Sequence, residues 1–87
     1  MPVFMADRSL PGITPAQLAD AQRAAIDTSK KFTEKGKPVQ YLRSMYVPEE
    51  SHCMCLFKAA DKATVEEVND AAGIPYTRII EAQDLTP

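Results

Sequence analysis

Clustered bases, long apolar runs and phosphate-cradling glycine loops are all missing from this sequence, and each absence closes a class of function. The ten basic and twelve acidic residues are interspersed, giving a formal net charge of −2. Nucleic-acid binding needs a dense basic footprint, so DNA and RNA are not expected partners. No apolar stretch approaches the roughly 20 residues of a membrane-spanning helix, so no membrane role is expected. Met1 to Asp7 carry an acid early and lack the basic and apolar regions of a secretory leader. A cytoplasmic location is the expectation. Histidine occurs once, and the two cysteines stand at positions 53 and 55. On an extended strand, residues two apart have Cα atoms roughly 6.5–7 Å from one another, at the edge of disulfide geometry. Cys53 and Cys55 therefore read as free thiols, which suits a reducing compartment. Nothing resembles a phosphate loop, a Ser–His–Asp order or a nucleotide fingerprint.

What is present is organised around Val39 to Lys58. Two arms rich in β-branched, aromatic and sulfur side chains, Val39–Val47 and His52–Lys58, flank the proline-led polar turn Pro48-Glu49-Glu50-Ser51. That pattern predicts a β-hairpin. Before it, Val3-Phe4-Met5-Ala6 begins a first strand within Pro2–Ser9, and Leu10-Pro11-Gly12 marks a turn. Thr14, Pro15 and Gln17 then form the signature of a capped helix start, with Ile13 and Leu18 at staple spacing. The helix is expected to run to about Lys35. Leu18, Ala21, Ala25 and Phe32 form its apolar stripe, whose small residues suit close packing on a sheet. Gly36 is its natural stop, beyond the basic Lys30, Lys31 and Lys35. After the hairpin, Asp61 competes with Thr64 and Glu67 to cap a second helix. Val65, Val68 and Ala72 mark its buried side, and Gly73 its end. Tyr76–Ala82 makes a last strand, and Gln83–Pro87 a tail awaiting a partner to order it.

The 87 residues have room for one domain, residues 1–87. Strand, helix, strand, strand, helix, strand is the ferredoxin-like order. The expected architecture is α+β, a four-stranded antiparallel sheet in the order 4-1-3-2 with both helices on one face. A chain of this size buries only about 60–65% of the surface exposed by its unfolded form. The uncovered sheet face, for which Phe4, Ala6, Leu42, Tyr46 and Ile80 are the apolar candidates, should therefore meet a second copy. The expected assembly is a homodimeric α/β barrel.

Three stretches carry a resemblance to a known family. They are Arg8-Ser9-Leu10-Pro11-Gly12, the hairpin from Tyr41-Leu42-Arg43-Ser44 to Met54-Cys55-Leu56-Phe57-Lys58-Ala59, and Gly73-Ile74-Pro75-Tyr76-Thr77-Arg78-Ile79. Together they resemble a small bacterial ferredoxin-like domain family of unknown function, sometimes described as nickel-binding-protein-like. The resemblance covers nearly the whole chain. It implies a dimeric ferredoxin-like barrel and, in the named members, a bound nickel ion. Nickel favours nitrogen and oxygen donors such as imidazole, and the chain offers a single histidine, so no nickel ligand is carried over.

Several residues could bear chemistry. The expected sheet order brings Arg8, Tyr46, His52, Cys53 and Arg78 to one end. Arg8 and Arg78 fall on matching alternation phases and are expected to share a face. With Ser44 and Tyr46 they would line a barrel mouth that takes a carboxylate, enolate or phosphate through bidentate hydrogen bonds. The plainer alternative is that each arginine pairs with an acid such as Asp7, Glu81 or Glu50. His52, Cys53 and Cys55 are the metal candidates. On a strand, however, His52 projects to the face opposite the two thiols, and zinc takes about three or four ligands. Buried free cysteines more often pack as small hydrophobes, and the same holds for Met5, Met45 and Met54 as core fillers rather than copper ligands. A nucleophilic thiol would need a nearby cation or helix N-terminus to lower its pKa. Among the acids only Asp7 and Glu81 could meet within the sheet, and the other glutamates read as solvated. A binding protein for a small anion or a metal ion is the leading reading. The alternative is a cofactor-independent isomerase or monooxygenase, which rests on fold analogy alone.

Overall fold

The computed structural model describes all 87 residues. The chain runs β1 (Val3–Ser9), α1 (Pro15–Glu34), β2 (Val39–Val47), a single 3-10 turn (Pro48–Glu50), β3 (His52–Ala59), α2 (Lys62–Ala72) and β4 (Arg78–Ala82). All pairings in the sheet are antiparallel and the strand order is β2-β3-β1-β4, the ferredoxin-like arrangement expected from the sequence.

Local chemistry sets the element ends. The Thr14 side chain accepts from the Gln17 amide at 3.1 Å while the Gln17 side chain accepts from the Thr14 amide at 3.0 Å, so the capping box at the start of α1 is complete. Two orphan amides are thereby satisfied at once. At α2 the competition resolves in favour of Asp61. Its Oδ1 accepts from both the amide and the hydroxyl of Thr64, at 2.9 and 2.7 Å, and Thr64 lies inside the first turn as the third helical residue. Gly73 closes α2 with φ at +72°, a conformation that costs glycine little. The last strand begins later than the sequence suggested. Tyr76 is drawn back to Asp70 through its hydroxyl, and Thr77 spends both its amide and its hydroxyl on the Asp7 carbonyl, at 2.7 and 2.8 Å. Regular pairing therefore starts at Arg78.

The core lies between the sheet and the two helices. Phe4 and Ala6 of β1, Cys53, Cys55, Phe57 and Ala59 of β3, Val39 of β2 and Ile79 of β4 meet Ala25 of α1 and Val65 and Val68 of α2. Tyr41 sets its ring edge against Phe57, with centroids 5.5 Å apart. This corrects the expected open face. The register Ala6↔Cys55 and Tyr46↔Cys53 puts Phe4, Ala6 and Tyr46 on the helix side. Leu42 falls at a β-bulge between Tyr41 and Arg43 and has no register partner, and of the other four expected residues only Ile80 sits on the uncovered face. The other apolar side chains there come from Met5, Met45, Met54 and Leu56, in register with one another through Met5↔Leu56, Met5↔Ile80 and Met45↔Met54. The methionines expected in the core thus lie on the open face, with Met45 66% exposed. The tail does not wait for a partner. Asp84 bonds Arg43 at 3.0 Å, although β2 and β4 are opposite edges of the sheet, so the tail crosses the open face.

Candidate functional site

Arg8 is the third member of the buried row that runs Phe4, Ala6, Arg8 along β1, and it is only 1% exposed. Two groups hold its guanidinium. One Nη donates to Oδ1 of Asn69 at 2.9 Å, and the other donates to the Pro75 carbonyl at 3.2 Å. Asn69 is itself pinned, since its Nδ2 donates to the Val65 carbonyl at 2.8 Å. No carboxylate reaches Arg8, and its Nε has no partner. A buried cation without a carboxylate partner carries a large desolvation cost, so the arrangement favours an anion close by, whether a neighbouring thiolate or a ligand.

Beside Arg8, between α1 and the β2–β3 end of the sheet, lies a cleft of about 310 Å³. Its existence follows from residue size. The α1 stripe is alanine-rich here (Ala21, Ala25), and the opposing strand positions are also small (Ser44, Cys53, Cys55). Small faces small, so a cleft stays open beside the point where Ala25 packs into the core. Leu10, Leu18 and Ile74 supply apolar walls, and Tyr46 stands at the side.

The cysteine pair forms the floor. Cys53 and Cys55 both point into the helix side, with their sulfurs 3.8 Å apart. Ser44 Oγ donates to Cys55 Sγ at 2.9 Å. Because the only Ser44 proton is spent there, Tyr41 must donate to Ser44, with which it is in hydrogen-bond contact, and Gln22 Nε2 donates to the Tyr41 oxygen at 3.0 Å. Every donor in this chain faces toward Cys55. The Cys55 thiol is lowered from 9.0 to about 6, first by the hydrogen bond from Cys53, then by the Arg8 charge and by Ser44, against the opposing effect of burial. Cys53 is raised, because a proton kept on it serves the shared charge on its neighbour.

The registers set Arg8, Tyr46, His52, Cys53 and Arg78 at the same end of the sheet, but on two faces. Arg8, Ser44 and Tyr46 line the cleft together with Cys53 and Cys55. Arg78 does not join them. It pairs with Asp7 rather than Ala6 in register, so it emerges on the open face, where its Nε donates to Asp7 Oδ2 at 3.1 Å. The expectation that the two arginines share a face is therefore corrected, and Arg78 takes the ion-pair alternative. His52 also lies on the open face, bonded to the other oxygen of Asp7, with Glu50 3.9 Å away. The Asp7 carboxyl is held below its ordinary 3.8, chiefly by His52 and then by Arg78, with burial working the other way. Asp7 and Glu81 do not meet, since Glu81 lies opposite Phe4 in register.

The metal candidates are separated in the same way. His52 is on one side of the sheet and Cys53 and Cys55 on the other, and no three of the chain's His, Cys, Asp and Glu side chains converge on one point. Within a single chain the donor set does not fit nickel, which takes several nitrogen, oxygen or sulfur ligands. Three contributors to the cleft escaped sequence reasoning: Asn69, Gln22 and Tyr41. Asn69 left a signal, as a polar residue on the buried side of α2 beside Val65 and Val68. Gln22 left none, because its role depends on where the edge strand passes.

The model of a family described as nickel responsive protein SCO4226-like matches residues 4–82. Among solved structures, the chain is similar to the crystal structure of SCO4226 from Streptomyces coelicolor A3(2). The TM-score is 0.78 and the sequence identity 25%, over 97% of this chain and 99% of that one. No curated protein matches the chain.

Proposed function

The chain belongs to the SCO4226-like family of nickel responsive proteins, and from that premise we propose that it is a small homodimeric binding protein whose ligand is a small organic anion held against Arg8. One observation carries the reading: a buried guanidinium with no acid partner and a free Nε, set at an apolar cleft of about 310 Å³. A carboxylate entering the cleft would meet a guanidinium that no carboxylate of the chain neutralises, and an apolar body of several carbons would lie among Leu10, Leu18 and Ile74. The ligand's place is thus the cleft between helix and sheet rather than a barrel mouth on the open face.

The lining favours binding over turnover. Neither a carboxylate nor an imidazole faces the cleft, so it offers no acid–base group of the ordinary kind. No metal enters the reading, because the donors of one chain do not converge. The open sheet face supports the dimer. Met5, Met45, Met54, Leu56 and Ile80 share that face, with Asp7, His52 and Arg78 at its end and the Asp84 tail lying across it, and Met45 and Ile80 stay exposed there for a second copy to cover.

Isothermal titration with hexanoate, and with the neutral hexanol as control, tests the proposal. Hexanoate should bind one per chain, and hexanol at least tenfold more weakly. Arg8→Met should erase the difference while leaving the circular dichroism spectrum intact. Equal affinities for acid and alcohol in the parent protein would refute the anion site.

A further inference from the structure

We infer that Cys55 is a nucleophile toward small carboxylates that carry an electrophilic carbon, with Arg8 holding the carboxylate and the Gln22–Tyr41–Ser44 chain holding the sulfur as thiolate. The inference rests on the anion reading of the cleft and adds a reaction to it. Three arrangements support it independently of one another.

The first is the direction of the hydrogen bonds. Gln22 donates to Tyr41, Tyr41 to Ser44 and Ser44 to Cys55, the last at 2.9 Å, so Cys55 Sγ accepts the hydrogen bond at the end of a relay. A neutral thiol would bring a proton with no acceptor here except the neighbouring sulfur. The second is the sulfur pair. At 3.8 Å, Cys53 can place its S–H on a Cys55 anion, which assigns the charge to one sulfur and the proton to the other. The third is Arg8. It has no carboxylate partner and a buried, unpartnered Nε, and it lines the same cleft as Cys55. A single guanidinium thus both favours the thiolate and stands ready to orient a second anion beside it.

The step balances without a redox partner. Cys55 Sγ supplies the electron pair of a new S–C bond, and the leaving group departs with the pair of the bond that breaks. The thiol proton has already gone to solvent, and the carboxylate remains ionised throughout. Iodoacetate is the simplest probe, forming a carboxymethyl thioether and releasing iodide. Iodoacetamide is its neutral match. Toward an ordinary thiolate the neutral reagent reacts faster, so a reversed order is diagnostic of a held carboxylate.

The full chain is treated with each reagent at matched concentrations, and labelling is followed by intact mass and located by peptide mapping. Iodoacetate should modify Cys55 at least tenfold faster than iodoacetamide does. Its rate should saturate with concentration and be suppressed by hexanoate. The iodoacetamide rate at Cys55 should rise with a midpoint near pH 6 rather than near 9, in keeping with the lowered thiol. Ser44→Ala, at an exposed position on β2, should slow both reagents several-fold, and Cys53→Ala should move that midpoint upward. Arg8→Met should restore the ordinary order of the reagents. If hexanoate binds but Cys55 is inert, or reacts faster with iodoacetamide, this inference is overturned and the anion cleft stands. If Cys55 reacts while hexanoate neither binds nor protects, both fall together.

Discussion

Arg8 and Ser29 show how differently two unsatisfied buried groups can be read. Ser29 is 3% exposed on α1 and its hydroxyl has no partner. Ser29 lines a surface recess with Lys30, Thr33 and Gln40, but its hydroxyl is itself buried and bonds none of them. Ser29→Ala should therefore stabilise the protein by roughly 1 kcal/mol, from a relieved hydroxyl and a better helix former, as urea denaturation would show. Arg8 is the opposite case, because its guanidinium, with Nε unpartnered, belongs to a residue that lines a cleft. Arg8→Met keeps most of the volume and removes the buried charge. It leaves Asn69 Oδ1 without its donor, so the net stability change should stay within about 2 kcal/mol, while hexanoate affinity falls by one to two orders of magnitude, about 1.5–3 kcal/mol. A large loss of stability without loss of binding would reverse the assignment. Phe57, 0% exposed at the centre of β3, sets the scale for a purely structural residue. Phe57→Ala should cost about 3–5 kcal/mol, enough to leave a chain of this size barely folded.

At the scale of elements, the helix starts and strand order were legible because their signals are local. Thr14-Pro15-Ala16-Gln17 states its cap in four residues, and Thr14→Ala should cost about 1 kcal/mol in thermal or urea unfolding. The face each strand turns inward was not legible. In β1, Val3 to Ala6 are apolar without alternation, so only the partner strand decides that Phe4, Ala6 and Arg8 go inward. A buried arginine at the end of that row is the residue a hydrophobic pattern would assign to solvent. In β2 the bulge at Leu42 reverses the alternation partway along the strand, so Ser44 and Tyr46 join the cleft while Met45 is exposed. The cleft itself is a packing outcome. Alanines on α1 were read as permitting close approach, yet they face serine and cysteine and leave space instead. No periodicity in the sequence contains that information. The hairpin turn carries one strained position, Ser51 with φ at +51°, and Ser51→Gly should raise stability by up to about 1 kcal/mol.

At the scale of the whole molecule, the two faces of the sheet divide the chemistry. The helix side holds Arg8 and the thiols, and the open side holds an Asp7–His52–Arg78 cluster beside a methionine-rich surface. Asp7 ties the fold to acid. Its carboxyl is lowered in the folded state relative to an ordinary 3.8, so its contribution is full above that value and is lost as pH falls through the lower, folded one. Asp7→Asn should flatten the loss of stability below about pH 4 in urea titrations. No helix is long and apolar enough to cross a membrane. In the proposed dimer a second copy covers the methionine-rich face. Leu56→Glu, placed in the middle of that face, should convert the proposed dimer to a monomer in sedimentation velocity without disturbing the cleft on the other side.

The central claim, an anion held by Arg8 between helix and sheet, is tested most directly by titrating hexanoate into isotopically labelled protein and mapping the amide shifts. The account predicts saturable shifts at Arg8, Ser44, Cys55 and the Leu18–Ala25 stretch of α1, absent in Arg8→Met. Shifts centred on Asp7, His52 and Arg78 would instead place the anion on the open face and contradict it.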